Sequence, residues 1–369
     1  MYNIVIFGTG KASMILESGL NDNVDIVCYC DNDKSKWLKI HNNKIIINPQ
    51  KIREIEFDYI VIASQFNEPI YNQLIELKVD RRKILQFFKY LDSNFNYVKH
   101  NLNLLEEQRK NLEVIATGIS YMQKAINQEM VCKKLINLAN HSQDLYYDCN
   151  LIRYVLENYK NDLLKFKYIF LGMNYYSFEY DMSKSAMKGK IPIYYEAIGK
   201  SHHMNKIDDV IIFKQINERI AQNIFKYQEN GFVKIDWFEN NFESNTNIFE
   251  INEVIGMRQA LLDGNKNYPE TVKENIQIFK DYLKILKDNS IKPIVIVCPV
   301  SKYYAKYFPQ RLKNEFYAII NETSKEYDFQ FIDYFNNDLF DDEDFYDVSH
   351  LNNKGAEKFT KILNEIIEW

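Results

Sequence analysis

The stretch "DVSHLNNKG", residues 347–355, lies directly before the last amphipathic segment of a 369-residue chain. An aspartate three residues ahead of a histidine can turn its carboxylate onto one imidazole nitrogen. That fixes the tautomer and leaves the other nitrogen to act as a base. Asn352 is placed to cap the helix that follows. In "GAEKFTKILNEIIEW", Phe359, Ile362, Leu363, Ile366 and Ile367 recur at three- and four-residue spacing, the pattern of an amphipathic helix. Two readings are open: a capped polar loop, or an Asp347–His350 pair held rigid to serve a nucleophile. The second requires a serine and an oxyanion site elsewhere in the chain.

Working outward, "FQFIDY", "PIVIVCPV", "LLKFKYIFLGM", "LINLA" and "LEVIATG" each contain or end in a short apolar, β-branched run, with helical patterns between several of them. Alternation of this kind predicts a parallel sheet with helices on its faces. In "EVIATGISYMQKAI" a strand ends at Thr117, Gly118 allows a sharp turn, and Ser120 starts a helix. The hydroxyl then stands at a strand's C-terminal edge beside helix N-terminal amides, which can stabilise an oxyanion. In "YIFLGMNYYSF" a strand ends near Gly172 and Asn174 follows, a neutral side-chain amide suited to a second oxyanion donor. Taken singly, each has a structural reading: Ser120 as a helix cap, Asn174 as a turn former, Asp347 and His350 as loop polarity.

Together, Gly-x-Ser, Gly-x-Asn and Asp-x-x-His in this chain order resemble the SGNH (GDSL-like) hydrolase family over residues 111–369. The resemblance implies a flavodoxin-like three-layer α/β/α domain. It implies Ser120 as nucleophile, His350 as base, Asp347 as its orienting acid, and Asn174 with the Ser120 amide as oxyanion hole. The nucleophile block here is Gly-Ile-Ser-Tyr rather than Gly-Asp-Ser. The family's second block normally supplies a glycine, but "INLANHSQDLYY" has none, and Asn140 or His141 occupies that place. The reaction implied is acyl transfer through an acyl-Ser120 intermediate, to water or to a sugar hydroxyl. The alternative from another class is a non-catalytic glycan- or nucleotide-sugar-binding protein on the same fold.

Residues 1–95 show a second alternating pattern: "NIVIFG", "VDIVCYCD", "KIIINP" and "DYIVIAS" as strands, "KASMILESGL" and "NEPIYNQLIELKV" as helices. "GTGKAS" gives Gly8-x-Gly10-x-x-Ser13 between a strand and a helix, and the next strand ends at Asp31, where a ribose-binding acid would stand. The motif fits a nucleotide or nucleotide-sugar site as well as a purely structural turn. No Tyr-x-x-x-Lys pair follows in the arrangement of short-chain sugar dehydrogenases. The segment resembles the small Rossmann-like modules at the front of bacterial sugar-modifying enzymes such as sialic-acid or bacillosamine acyltransferases. A polar stretch at 96–110 reads as a helical connector. The aromatic-rich, irregular stretch at about 182–265 reads as an insertion over the strand ends, with Tyr175, Tyr176, Phe178, Tyr194 and Tyr195 available to exclude water.

A net charge of -5 argues against a general nucleic-acid binder. Apolar runs are far shorter than the roughly 20 residues a membrane span needs, and the N-terminus lacks a secretory pattern. Five scattered cysteines, Cys28, Cys30, Cys132, Cys149 and Cys298, suit reduced thiols in a cytoplasm, with Cys28 and Cys30 on one strand face as core and no metal site. The expectation is a soluble, cytoplasmic α/β protein acting on a small-molecule or carbohydrate substrate. It needs no cofactor for catalysis, and its oligomeric state is left open.

Overall fold

The computed structural model describes residues 1–64, 66–159, 166–204, 207–227 and 250–369. They fall into two compact units, one formed by the described residues of 1–97, 186–195 and 203–227, the other by those of 98–185, 196–202 and 250–369. The helix Tyr97–Gln108 carries the chain from the first to the second.

The first unit is built on a sheet of β1 (Tyr2–Phe7), β2 (Val24–Cys30), β3 (Ile40–His41), β4 (Lys44–Ile47), β5 (Tyr59–Ile62) and β6 (Ile84–Gln86). The order is β3-β4-β2-β1-β5-β6, parallel throughout except for the β3–β4 pair. The strands are apolar on both sides, as a sheet covered on both faces requires. Ile4, Ile6, Tyr29, Val61 and Leu85 enter one cluster. Val5, Phe7, Cys28, Cys30, Ile60, Ile62 and Ile84 enter the other. Cys28 and Cys30 are therefore core residues, 2% and 0% exposed.

One cover of this sheet comes from an unexpected part of the chain. The helix Ile207–Ile224 supplies Ile220, Ala221 and Ile224, with Phe225 beyond it, to the cluster around Ile4 and Ile6. The Asn217 side chain accepts from the Gln86 amide at 3.2 Å, and the Tyr90 and Tyr227 hydroxyls pair at 2.7 Å. Within the stretch expected to lie over the strand ends, this helix and Phe225 thus complete the core of the first unit, while 182–185, 196–202 and 250–265 belong to the second. Positions 205–206 and 228–249 of that stretch lie outside the described residues. The sequence hid this because an amphipathic helix announces that it has an apolar face, not which sheet receives it.

The second unit holds β7 (Val114–Gly118), β8 (Leu135–Asn137), β9 (Tyr168–Met173), β10 (Lys292–Val297) and β11 (Gln330–Asp333), all parallel, in the order β11-β10-β9-β7-β8. The long helix Pro269–Asp288 packs beside the helix Leu145–Asn158, burying Phe279, Tyr282, Leu283 and Leu286. Tyr175, Tyr176 and Phe178 are likewise core: all are under 7% exposed, and they pack among Phe308, Phe316 and Phe335. Among the described residues no helix is long and apolar enough to cross a membrane.

Candidate active site

The carboxyl ends of β7 and β9 lie side by side, with Gly118 paired in register with Gly172. Gly118 adopts φ +132°, and a Cβ there would stand 2.3 Å from the Gly172 carbonyl oxygen. Only glycine permits both the turn and this approach. Two residues beyond each glycine stand Ser120 and Asn174, so the paired glycines bring both to one edge of the sheet. The Gly118 carbonyl accepts from the Asn140 amide at 3.1 Å, and its own amide is held by the buried carboxyl of Asp148. Burial raises the proton affinity of Asp148 well above the ordinary carboxylate range, against the hydrogen bonds from Gln143 and Gly118.

Ser120 opens the helix Ser120–Ala125, as expected, but Ile119 is the residue before its first turn and makes no side-chain cap. The serine hydroxyl is directed elsewhere. His350 Nε2 lies 2.9 Å from Ser120 Oγ, and His350 Nδ1 lies 3.0 Å from each carboxylate oxygen of Asp347. An ionised carboxylate can only accept, so Nδ1 carries the proton, and Nε2 is left as acceptor for the Ser120 hydroxyl. Burial works against the Asp347 charge. It is outweighed by the neighbouring imidazole and by the donors from His350 and Ser349, which hold Asp347 at about 2.

The Asp347 loop is preorganised by its own backbone. The amides of Ser349 and His350 donate to Asp347 Oδ1 at 2.8 and 2.9 Å, and the Ser349 hydroxyl donates to the same oxygen at 3.0 Å. Asn352 caps the helix Asn353–Ile366 by accepting from the Gly355 amide at 3.0 Å. Its Nδ2 also ties the Glu343 and Phe345 carbonyls to the loop. The cap and the Asp–His pair are one structure.

Asn174 is 1% exposed, its backbone amide donates to Ser177 Oγ at 2.8 Å, and its side-chain carbonyl has no hydrogen-bond partner among the described residues. Asn140 differs. Both of its side-chain amide hydrogens are taken, by the Leu138 carbonyl at 3.0 Å and Gln143 Oε1 at 3.1 Å. It braces the loop after β8 and has no side-chain donor left for an oxyanion, which corrects the role expected of it.

In the first unit, Gly8, Gly10 and Ser13 stand in the turn from β1 into the helix Lys11–Ser18. Gly8 has φ +114°, and a Cβ there would come 2.7 Å from the Ala63 carbonyl oxygen, so packing of β1 on β5 already requires glycine. Buried Ser13 donates its hydroxyl to the Gly10 carbonyl at 2.7 Å, a bond within the turn. Asp31 accepts from Thr9 Oγ1 at 2.6 Å, Lys36 Nζ at 2.9 Å and the Asp33 amide at 2.9 Å. Burial raises the Asp31 pKa, but those donors outweigh it and the net shift is downward. The carboxylate is committed to its own loop and to Thr9 of the glycine turn. Lys36, which sequence reading passed over, is placed at this turn.

Metal-ligating chemistry gathers in the second unit, where ligand atoms of Asp181, His202 and Glu274 lie within 4.8 Å of one another. Lys184 pairs with Asp181 at 3.1 Å, and His202 faces Glu274 at 3.2 Å and Asp181 at 3.4 Å. Burial disfavours the imidazolium, yet Asp144 and Asp181 outweigh it and push His202 up to about 10. The cluster sets His202 and Lys184 among the carboxylates of Asp144, Asp181 and Glu274. Sequence reasoning missed it because its members are separated by long stretches of chain.

Residues 1–85 match the family described as C2185-like, N-terminal, and residues 239–368 match the DltD protein family. The second match includes Asp347 and His350 and leaves Ser120 and Asn174 outside it. No curated protein matches the chain. Among solved structures, a Streptococcus pneumonia protein named as a platelet activating factor is 12% identical, with a TM-score of 0.39 covering 81% of this chain and 98% of that one. A Bacteroides fragilis protein named as an acylhydrolase is 11% identical, with a TM-score of 0.34 covering 73% of this chain and 92% of that one.

Proposed function

We propose that the chain is a serine-dependent acyl-transfer enzyme, an esterase or O-acyltransferase, acting through an acyl-Ser120 intermediate on a glycan or sugar precursor. The observation that carries this is the unbroken line Asp347–His350–Ser120, with 3.0 and 2.9 Å between its members. The match of residues 239–368 to DltD proteins, which are of an SGNH-like acyl-transfer type, supports it. So does the second sheet, whose strands numbered within the unit run 2-1-3-4-5, the flavodoxin-like order. The first sheet, with β2 and β5 on either side of β1, supports a Rossmann-like reading of the N-terminal unit.

In the proposed reaction Ser120 passes its proton to His350 Nε2 as its oxygen attacks the acyl carbonyl. Asp347 keeps the imidazole oriented and balances its charge. The oxyanion is assigned to the Ser120 amide and the Asn174 side chain, neutral donors of the kind that meet developing negative charge. His350 then returns the proton to the leaving oxygen. Water or a sugar hydroxyl, deprotonated by the same nitrogen, releases the acyl group and restores Ser120.

The turn at Gly8 and Gly10, with Lys36 beside it, is proposed to hold the phosphate of a nucleotide or nucleotide sugar. Asp31 serves there as a partner of Lys36 and Thr9 rather than as a free ribose ligand. The five free thiols support a reducing, cytoplasmic setting. The test is turnover of short p-nitrophenyl esters, with and without a nucleotide-sugar acceptor, and products identified by mass spectrometry. Ser120→Ala should lower turnover by about three orders of magnitude or more. An unchanged rate in that variant overturns the proposal.

A further inference from the structure

The residue after Ser120 is a tyrosine, and its buried side chain leads away from the site into a hydrogen-bonded chain. Tyr121 is 4% exposed, and its ring lies 4.9 Å from the His350 imidazole at a 36° tilt. Its hydroxyl meets that of Tyr304 at 3.1 Å, and Tyr304 donates to Asp263 Oδ2 at 2.9 Å. Because Tyr304 gives its proton to Asp263, its oxygen accepts from Tyr121, and the direction of both bonds is fixed. Burial raises the proton affinity of both phenols well above the ordinary range. Tyr176 stands edge-on to Tyr121 at 6.4 Å, and its side chain is also hydrogen-bonded to that of Tyr121.

Two elements anchor the far end. Asp263 lies on the helix Glu253–Gly264, where Gln259 also donates to its Oδ2 at 3.0 Å. Tyr304 lies on the helix Lys302–Tyr307, and Ser301, which caps that helix, donates its amide to the Val348 carbonyl at 3.1 Å. Val348 stands between Asp347 and His350. The brace is therefore fastened both to the residue beside the serine and to the loop that carries the histidine.

We infer that Tyr121 is a positioning residue for His350, and that Tyr304 and Asp263 act through it by holding its ring against the imidazole face. An imidazole held by hydrogen bonds at two nitrogens can still swing about its Cβ when the serine oxygen leaves Nε2 to become acylated. A fixed aromatic wall removes that freedom. The inference rests on the reading of Ser120 and His350 as nucleophile and base. Its geometric part, the restraint of the imidazole, can be measured without turnover.

The experiment compares wild type with Tyr121→Phe, Tyr121→Leu and Tyr304→Phe in the full chain. It follows kcat and KM for an ester substrate and the downfield proton resonance of His350 Nδ1–H in water. Tyr121→Leu, which removes the wall, should lower kcat by about 10- to 100-fold at unchanged KM, since a displacement near 1 Å costs about that much. The resonance should broaden with it. Tyr121→Phe and Tyr304→Phe keep the ring and release its anchor, so both should broaden the resonance and lower kcat by several-fold. Should Tyr121→Leu not fold, these two decide. A sharp, unshifted resonance in the folded variants overturns the inference, as does a loss expressed in KM alone. A wild type that turns over nothing yet shows a Tyr121-dependent resonance would sink the catalytic reading and leave the restraint standing.

Discussion

Gly118→Ala tests whether the pairing of two strand ends is what brings Ser120 and Asn174 together. A Cβ at 118 would lie 2.3 Å from the Gly172 carbonyl oxygen and 2.8 Å from its Cα, both backbone atoms of a central strand. Neither can swing aside, so relief needs a shift near 1 Å at the end of β7 or β9. A φ of +132° is also strained for any side-chain-bearing residue, at a cost of about 1–3 kcal/mol. Overpacking adds about 1–3 kcal/mol more, giving a loss of about 2–6 kcal/mol within a typical stability of about 5–15 kcal/mol. Much of the protein should remain folded and be poorly active, because a misplacement near 1 Å costs about 100-fold in rate. Urea unfolding gives the first figure and ester turnover on the folded fraction the second. A variant that loses under about 1 kcal/mol and stays within about twofold of wild-type turnover refutes the reasoning, since both figures derive from the same contact.

Asn174→Ala should lower kcat by about 100- to 1,000-fold with little change in KM if its amide meets the oxyanion; steady-state kinetics decides. Asp347→Asn should cost about 10⁴ in kcat by letting His350 take the wrong tautomer, without abolishing the fold. His202 has a folded-state pKa raised from 6.5 to about 10, so its ion pairs with Asp144 and Asp181 stabilise fully below about 6.5 and fade as pH rises through about 10. Unfolding midpoints of wild type should therefore fall across that window relative to His202→Gln, and parallel curves would contradict this. A fragment ending at residue 97 lacks Ile220, Ala221, Ile224 and Phe225, which complete the core around Ile4, Ile6 and Tyr29. At about 1.5–3 kcal/mol per buried side chain the fragment should bind a hydrophobic dye and melt without cooperativity, and a sharp melt would refute the assignment of that helix.

How much of this was legible in the sequence depended on how local the signal was. The strands β1, β2, β7 and β10 announce themselves as apolar runs closed by Gly, Asp or Pro, and β5 and β9 as short apolar runs. The Asn352 cap and the Asp347–His350 pair span fewer than ten residues, and their geometry is set by that short loop. Ser120 and Asn174 can be singled out because each stands two residues beyond a glycine at the end of an apolar run. What escaped was contact over long separation: the helix Ile207–Ile224 on the first sheet, the Tyr121–Tyr304–Asp263 relay, and the ion cluster around His202. Short strands such as Ile40–His41 and Ile84–Gln86 also escaped, being too brief for a period to register. Asn140 was read as a possible donor from its place beside the expected block. Its commitment to Leu138 and Gln143 depends on side-chain direction, which spacing does not encode.

The most direct test of the account is where a fluorophosphonate probe attaches. The probe needs an activated serine and reports on Ser120 alone once the adduct is mapped by mass spectrometry. The line from Asp347 through His350 to Ser120 predicts a single adduct on the peptide containing Ser120, abolished in Ser120→Ala and slowed strongly in His350→Ala. No adduct on Ser120, while a known serine esterase labels in the same tube, would contradict it.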